Sequence, residues 1–387
     1  KTGKKILATG NGKCNLTNQA IRRGCISSGV YRSGQEAFPL HVLEDFDAGD
    51  TLAFFESMGL YTKERDGYVY PMSEQAATVR DVLCWELAEH KADVVTGQEV
   101  KDIKAAGKGP SKSGFTIYTA KETYQCKKLI MACGGASSSK LGSNGSGYRL
   151  AENLGHHIIA PVPALCALHC KEKYFKELAG IRLQGSVTLF TDGKMAAEDS
   201  GEIQLTAYGI SGIPVFQVSR YAAKALRIKK PVTAVLDLMP AVSEKGLRVR
   251  FLWQMHANPK WTMRMVLSGM MNSKLAACLL KCAGIDGGQP CHKVGSAALE
   301  QLIVLVKQHR VHIIATNDFE QSQVTAGGVD TREIDEKNMA SKAVTGLYIT
   351  GELLDVDGIC GGYNLQWAWA TGVLAGSDAG RSCHVKG

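Results

Sequence analysis

One stretch near the end of this chain constrains its fold more than any other: Gly346-Leu-Tyr-Ile-Thr-Gly351-Glu352-Leu-Leu-Asp355-Val-Asp357-Gly-Ile-Cys360-Gly361-Gly362-Tyr363-Asn364-Leu365-Gln366, continuing to Gly372. A short apolar strand, Leu347 to Ile349, runs into the acidic turn Gly351-Glu352. A turn-rich loop follows, and Gly361-Gly362 then opens a long apolar helix. The first amides of a helix lack partners and sit at the positive end of its dipole, so such a start holds an anion or an electron-rich carbonyl. Two glycines there let a flat ligand approach the backbone.

The other end carries a second glycine cluster, Thr9-Gly10-Asn11-Gly12-Lys13-Cys14-Asn15-Leu-Thr17-Asn18. Alone it reads as a polar surface turn, with Asn-Gly among its signals. No Gly-x-Gly-x-x-Gly follows a strand anywhere, and residue 1 is Lys rather than Met.

Taken together, the two ends resemble a family of bacterial FAD-dependent oxidoreductases, the aminoacetone oxidase and 3-dehydro-bile-acid reductase group. The matching segments are Gly3 to Asn18, Asn144 to His156, Tyr208 to Pro214, Val324 to Asp330 and Gly351 to Gly372, in the family's order along nearly the whole chain. The resemblance implies an α/β, two-dinucleotide-fold flavoprotein: a Rossmann-like FAD domain with an inserted antiparallel β domain and a small helical subdomain. It implies FAD contacts at Lys4, Lys5, Thr9, Gly10, Asn11, Gly12, Cys14, Asn15, Val100, Cys133, Gly134, Gly135, Gly351, Glu352, Gly361, Gly362, Tyr363, Asn364, Leu365 and Gln366. Such proteins begin with a strand, a Gly-x-Gly-x-x-Gly turn, a helix and a second strand ending in an acidic residue. That unit is not in this sequence, so the chain as written is expected to bind FAD poorly and the complete protein to bind it well.

Composition fits a cytoplasmic enzyme with more than one domain: 387 residues, 45% hydrophobic and 21% charged. No apolar run approaches a membrane span, and the visible start has no signal-peptide pattern. The net charge of +8 is spread in pairs such as Lys127-Lys128 and Lys229-Lys230. The expected partner is therefore a small-molecule substrate, with neither nucleic acid nor membrane; oligomeric state is left open. The twelve cysteines form no disulfide scaffold, and Cys14, Cys84, Cys126, Cys133 and Cys278 are expected to be buried thiols. Cys166 and Cys170 beside His169, and Cys291 before His292, match no zinc spacing, so no metal is expected.

Periodicity places a helix at Thr51 to Met58 capped by Asp50, and a longer one capped by Ser73 with Val79, Leu83 and Leu87 on one face. Asp93 to Thr96 and Glu99 to Ile103 read as strands. Phe115 to Ala120 and Lys128 to Ala132 read as a strand pair ending in Cys133-Gly134-Gly135, where small residues let the chain pass under a dinucleotide. Ile158 to His169, Ser186 to Asp192, Glu202 to Thr206 and Val232 to Leu238 suggest an antiparallel sheet or barrel. Thr262 to Cys282 and Ser296 to His309 read as helices, the first with a Met-rich stripe that reads first as core and second as the flexible wall of an apolar substrate pocket. Val311 to Thr316 returns to strand. The expected domains are 1–157 with 325–387 for FAD, 158–240 with 310–324 as the inserted β domain, and 241–309 as the helical subdomain. Residues 107–114 read as a mobile hairpin loop.

No residue announces itself as a catalyst. That suits flavin chemistry, in which the cofactor carries the hydride and the protein supplies orientation and electrostatics. Tyr208, Ser211, Cys360 and Tyr363 are the substrate-pocket candidates, with Tyr208 or Tyr363 able to donate a proton to an enolate. Many family members carry Thr at the position of Cys360 and His at that of Ala207. The leading expectation is reduction of an activated C=C bond in an enone, steroid or bile-acid-like substrate, with NAD(P)H as electron donor. A flavin-dependent oxidase of a small amine such as aminoacetone is the second reading, and a truncated, non-catalytic flavoprotein the third. The acids Asp355 and Asp357 read as turn formers, which leaves no ammonium site for the amine.

Overall fold

A computed structural model describes residues 2–106 and 114–384, with side chains to Ser382, and resolves them into two compact units. One is Lys1–Pro163 with Phe319–Gly387; the other is Ala164–Asp318. Of the expected hairpin loop at 107–114, residues 107–113 lie outside the described residues.

The first unit is mixed α/β. Its organising feature is the parallel pair Leu129–Met131 and Leu347–Ile349, aligned Leu347↔Leu129 and Ile349↔Met131. Parallel strands need covering layers. Here the cover includes the helix Tyr363–His384, whose Trp367 is 2% exposed, and Ala37–Asp45, which buries Phe38, Val42 and Leu43. Phe115–Thr119 does not pair with Leu129–Met131, as the sequence suggested. It joins Val100–Ala105 and Thr123–Cys126 in a separate antiparallel sheet. Asp93 to Thr96 forms no strand, and Val94 and Val95 are about half exposed (49% and 55%). Both valines lack the ladder partner that a β-branched pair needs to be worth burying.

Two helix starts differ from expectation. The first helix runs Ala48–Ser57 and is capped by Asp47, with Asp50 as its third residue closing a reciprocal capping box. The second runs Ala76–Glu89; Ser73 Oγ bonds Thr78 Oγ1 at 2.7 Å and accepts from Gln75 N at 3.3 Å, and the buried face is Ala76, Val79 and Val82. Leu87 is exposed.

The second unit holds a closed antiparallel barrel built from Leu168–Cys170, Gly209–Ser211, Lys194–Thr206, Arg182–Thr191, Val232–Asp237 and His309–Thr316. Alternation drives it: in Val232–Asp237 every second side chain is buried. The helix Ile213–Arg227 packs Val215, Val218 and Ala222 onto the barrel strands. Between the last two strands lie Glu244–Ala257, Met263–Ser268, Ser273–Cys282 and Ser296–Lys307. The expected single block Thr262 to Cys282 is thus two helices, broken where Asn272 caps the second by accepting from Lys274 N. Met263, Leu267, Leu275 and Leu279 are buried in one apolar cluster with the barrel residues, while Met265 is exposed. Among the described residues no helix is long and apolar enough to cross a membrane.

Candidate functional site

Both strands of the parallel pair end at the same edge, and the loops leaving that edge carry Cys133-Gly134-Gly135 and Gly351-Glu352. In open α/β sheets ligands sit outside such carboxyl ends. Thr350 N donates to Met131 O at 3.1 Å, so the loops leave in step. Gly351 is pinned to the last helix: its N–H donates to Thr371 Oγ1 at 2.9 Å, and Trp367 Nε1 donates to its carbonyl at 3.0 Å.

Glu352 folds back across this edge. Its Oε1 accepts from Thr325 N at 2.7 Å; its Oε2 faces Gly135 N at 3.4 Å and Lys5 Nζ at 3.9 Å. Burial pushes the carboxyl above the ordinary range, against the opposing pull of Lys5 and of those amides. A Cβ on Gly135 would lie 2.5 Å from Thr325 Oγ1 and 2.8 Å from Glu352 Cδ, so no larger residue fits. Thr325 Oγ1 accepts from Ala136 N at 2.9 Å and Ser137 N at 3.2 Å. Lys5 Nζ donates to Ser137 O at 2.7 Å and to Ser143 Oγ; Lys4 Nζ donates to Lys140 O. Lys5, Gly135 and Glu352 therefore meet in one cluster. Thr325 and Ser137 complete it, and sequence reasoning missed them, although Thr325 lies in the segment Val324 to Asp330 that drew attention.

A second cluster surrounds Gly361-Gly362. Both glycines have positive φ, +118° and +95°. The reason they must be glycine is internal: a Cβ on Gly362 would lie 2.6 Å from Thr17 O, and one on Gly361 2.8 Å from Tyr68 Cε1. This internal packing is a reason for glycine beyond the close approach of a ligand that the sequence suggested. Asn18 Nδ2 donates to Gly361 O at 3.1 Å. Gln366 is fully buried, its Oε1 accepting from Thr17 Oγ1 (2.7 Å) and Thr51 Oγ1 (2.8 Å) and its Nε2 donating to Phe46 O (3.1 Å). Asn364 brackets Gly358, accepting from its N at 2.9 Å and donating to its O at 3.0 Å. Tyr363 is buried, and burial, with Tyr68 nearby, holds its hydroxyl protonated. The side chains of Gln366 and Asn364 therefore serve the chain itself; the helix-start backbone is what remains for a ligand.

Asp355 and Asp357 are not turn formers. They are 2% and 1% exposed, at the strand Val356–Gly358, with Asp357 opposite Arg32 in the ladder. Neither is accessible to a small cation. Asp355 Oδ2 accepts from Gly34 N at 3.0 Å, while its Oδ1 and the Oδ1 of buried Asn15 have no hydrogen-bond partner. Thr9, Gly10, Asn11 and Gly12 form an irregular turn with Gly10 and Asn11 left-handed and exposed. Val100 opens the separate three-stranded sheet. Of the expected buried thiols Cys14 and Cys278 are buried, Cys84 and Cys126 are half-buried, and Cys133 is exposed. Among the described residues no three of His, Cys, Asp and Glu gather as a metal site.

In the barrel unit Tyr208 sits in the turn between Lys194–Thr206 and Gly209–Ser211, 41% exposed. Its ring lies 4.4 Å from that of His169, tilted 31°. His169 Nε2 is 2.8 Å from Asn317 Oδ1, so the ring nitrogen donates. Ser211 pairs with Gln204 in the ladder. His169 and Asn317 had no sequence signal beyond the metal spacing considered for His169.

Parallel strands with glycine turns at their carboxyl ends, next to a helix opened by two left-handed glycines, define a Rossmann-like α/β protein of the class that holds a flavin or dinucleotide cofactor. The chain belongs to the HI0933-like family: the profile described as "HI0933-like protein Rossmann domain" matches residues 1–378. It is 45% identical to a 3-dehydro-bile acid delta(4,6)-reductase of Clostridium scindens, over 97% of this chain and 90% of that protein. It is 29% identical to a ribosomal RNA dihydrouridine synthase of Haemophilus influenzae (96% of this chain, 88% of the relative) and 27% identical to one of Escherichia coli (98% and 89%).

Proposed function

We propose that this protein is an FAD-dependent reductase that saturates a carbon–carbon double bond conjugated to a carbonyl, with NAD(P)H as donor, on a bulky apolar substrate of the 3-oxo bile-acid type. The observation that carries the reading is the extended similarity to the bile-acid reductase across both units, 45% over 97% of the chain. The names of the relatives share one chemistry, since a delta(4,6)-reductase and a dihydrouridine synthase both reduce an alkene next to a carbonyl.

The residues present fit FAD. Lys4 and Lys5 bring ammonium groups to the Ser137–Ser143 loop, and the amides at Gly361 to Tyr363 open a helix, a donor set suited to phosphate and to a ring carbonyl. When bound, the flavin supplies hydride transfer between nicotinamide and substrate. Glu352 holds the Gly135 and Thr325 amides in place, and Thr371 holds Gly351. Tyr208, half-exposed with its ring against His169, is our candidate for donating a hydrogen bond to a substrate carbonyl. The burial of Asp355 and Asp357 argues against the amine oxidase, which needs an accessible carboxylate.

The test is product analysis. The natural gene product, incubated with a 4-deuterated nicotinamide and a 3-oxo-Δ4,6 bile acid, is expected to yield saturated product carrying deuterium on carbon. Unchanged steroid, with the nicotinamide still reduced, would reject the reading.

One observation supports a second substrate class. Between Ala164 and Asp318 the sequence has 20 Lys and Arg against 11 Asp and Glu, and no acid occurs from Lys245 through Ile285, which holds seven Lys and Arg. Trp253 and Trp261 are 63% and 41% exposed in that stretch. Cations that bind phosphate, together with exposed aromatic faces, suit RNA. Retention of a ribosomal RNA fragment on a filter, weakening steeply between low and moderate salt, would favour uridine as the reduced ring.

A further inference from the structure

The helix Ser273–Cys282 carries two cysteines one turn apart, and they differ in exposure. Cys278 is 7% exposed, packed with Leu275 and Leu279 in the core of the barrel unit. Cys282, the last helical residue, is exposed and lies one helical turn beyond Cys278 on the same helix. Gly284 follows with φ +70°, and a Cβ there would meet nothing within 4 Å, while Ile285 beyond it is buried. Lys281 is adjacent, and no acid stands in the sequence between Glu244 and Asp286.

We propose that Cys278 and Cys282 form a peroxide-reactive thiol pair, with Cys282 the attacking sulfur and Cys278 the resolving one, closing to a disulfide. The neighbouring Cys278 thiol and, less strongly, Lys281 pull the Cys282 thiol below its ordinary value despite partial burial, which favours its thiolate. Cys278 moves the other way, pushed up because the neighbouring Cys282 and its own burial both favour the protonated form; Glu177 adds to the rise. One sulfur is thus primed and the other waits with its proton.

The oxidant is a hydroperoxide. The Cys282 thiolate attacks the distal oxygen, the O–O bond breaks, and an alcohol (or water) leaves with a proton from solvent. The resulting Cys282 sulfenic acid is attacked by the Cys278 sulfur. The S–O bond breaks, and hydroxide leaves as water with the thiol proton. Two thiols and one hydroperoxide give one disulfide, one alcohol and one water, with two electrons passing from sulfur to oxygen.

Residues four apart on a helix have Cα atoms about 6 Å apart, inside disulfide range, but Cβ atoms at about 5–6 Å, farther than a disulfide's roughly 4 Å. Closing the bond therefore loosens the last helical turn. The bonds across that turn include Ala283 N to Leu279 O at 2.9 Å, Gly284 N to Lys281 O at 3.2 Å and Ile285 N to Leu280 O at 2.9 Å. All three lie at the C-terminal end of the helix, so closing the disulfide should weaken them first.

The test is a peptide map of the natural gene product. After hydrogen peroxide treatment and alkylation, trypsin cuts after Lys274, Lys281 and Lys293, which separates the cysteines. The expected result is 275–281 joined to 282–293 through Cys282, two hydrogens below the summed mass. Fragmentation distinguishes Cys282 from buried Cys291. In Cys278→Ala, dimedone should trap a sulfenic acid at Cys282, and its formation at neutral pH should be about tenfold slower as the thiolate loses the neighbouring thiol. Peroxide-treated wild type that keeps both cysteines alkylatable, or a disulfide joining Cys282 to any residue but Cys278, would overturn the proposal without touching the flavin reading.

Discussion

Gly362 is the position where the site's backbone is most tightly determined, and Gly362→Ala tests it. At φ +95° an alanine is strained by about 1–2 kcal/mol. Its Cβ would lie 2.6 Å from Thr17 O and 2.7 Å from Thr17 C, backbone atoms that cannot rotate away, which adds about 1–3 kcal/mol for the forced shift. The loss should total about 2–5 kcal/mol, local to the Thr17–Gln366–Thr51 network. Native-state hydrogen exchange on peptides covering Thr17 and the Tyr363–His384 helix reads it directly. At about 1.4 kcal/mol per factor of ten, exchange there should rise at least about thirtyfold. The control is Gly372→Ala, in the same helix with nothing within 4 Å and no positive φ; it should gain about 0.5–1 kcal/mol. Unchanged protection in Gly362→Ala would refute the argument that this glycine is fixed by the chain itself. Loss of flavin with protection intact would return the residue to ligand contact alone.

Three further outcomes follow from the site and the barrel. Thr371→Val removes the acceptor of Gly351 N–H in a buried place, so thermal or urea unfolding should show a loss of about 1–3 kcal/mol. Lys307→Met strands Asp237 and the carbonyls of Met239 and Val242, which Lys307 Nζ contacts at 2.6, 2.9 and 2.6 Å; the barrel unit should lose about 3–5 kcal/mol by the same measurement. Glu352 has a folded-state carboxyl raised above its unfolded value, so its contribution turns unfavourable as pH climbs through the window above the ordinary carboxylate range. Glu352→Gln should therefore gain stability relative to wild type as pH rises from 5 to 8, and a difference that shrinks over that range would contradict the sign.

The parts of the fold that the sequence showed were those written in local patterns. The strand Leu347–Ile349, the turn at Glu352 and the helix from Tyr363 were legible because glycines and an apolar run marked each boundary. The barrel strands were legible from alternation, but their closure was not, because it depends on pairing Leu168–Cys170 with His309–Thr316 across more than a hundred residues. The partnership of Leu129–Met131 with Leu347–Ile349 was hidden for the same reason. Capping shifted by a few residues when two acids, Asp47 and Asp50, competed for one helix start. The roles of Thr325, Ser137 and Thr371 were invisible, since a threonine's partner is set by tertiary packing. The burial of Asp355 and Asp357 ran against the ordinary exposure of acids and was readable only from the structure.

The measurement that tests the central claim most directly is anaerobic single-turnover flavin spectroscopy on the natural gene product. Protein reduced by one equivalent of NAD(P)H and mixed with a 3-oxo-Δ4,6 bile acid should regain oxidised-flavin absorbance, one flavin per double bond saturated, while oxidised protein mixed with aminoacetone should stay oxidised. Rapid bleaching by the amine, with no reoxidation by the steroid, would contradict the account.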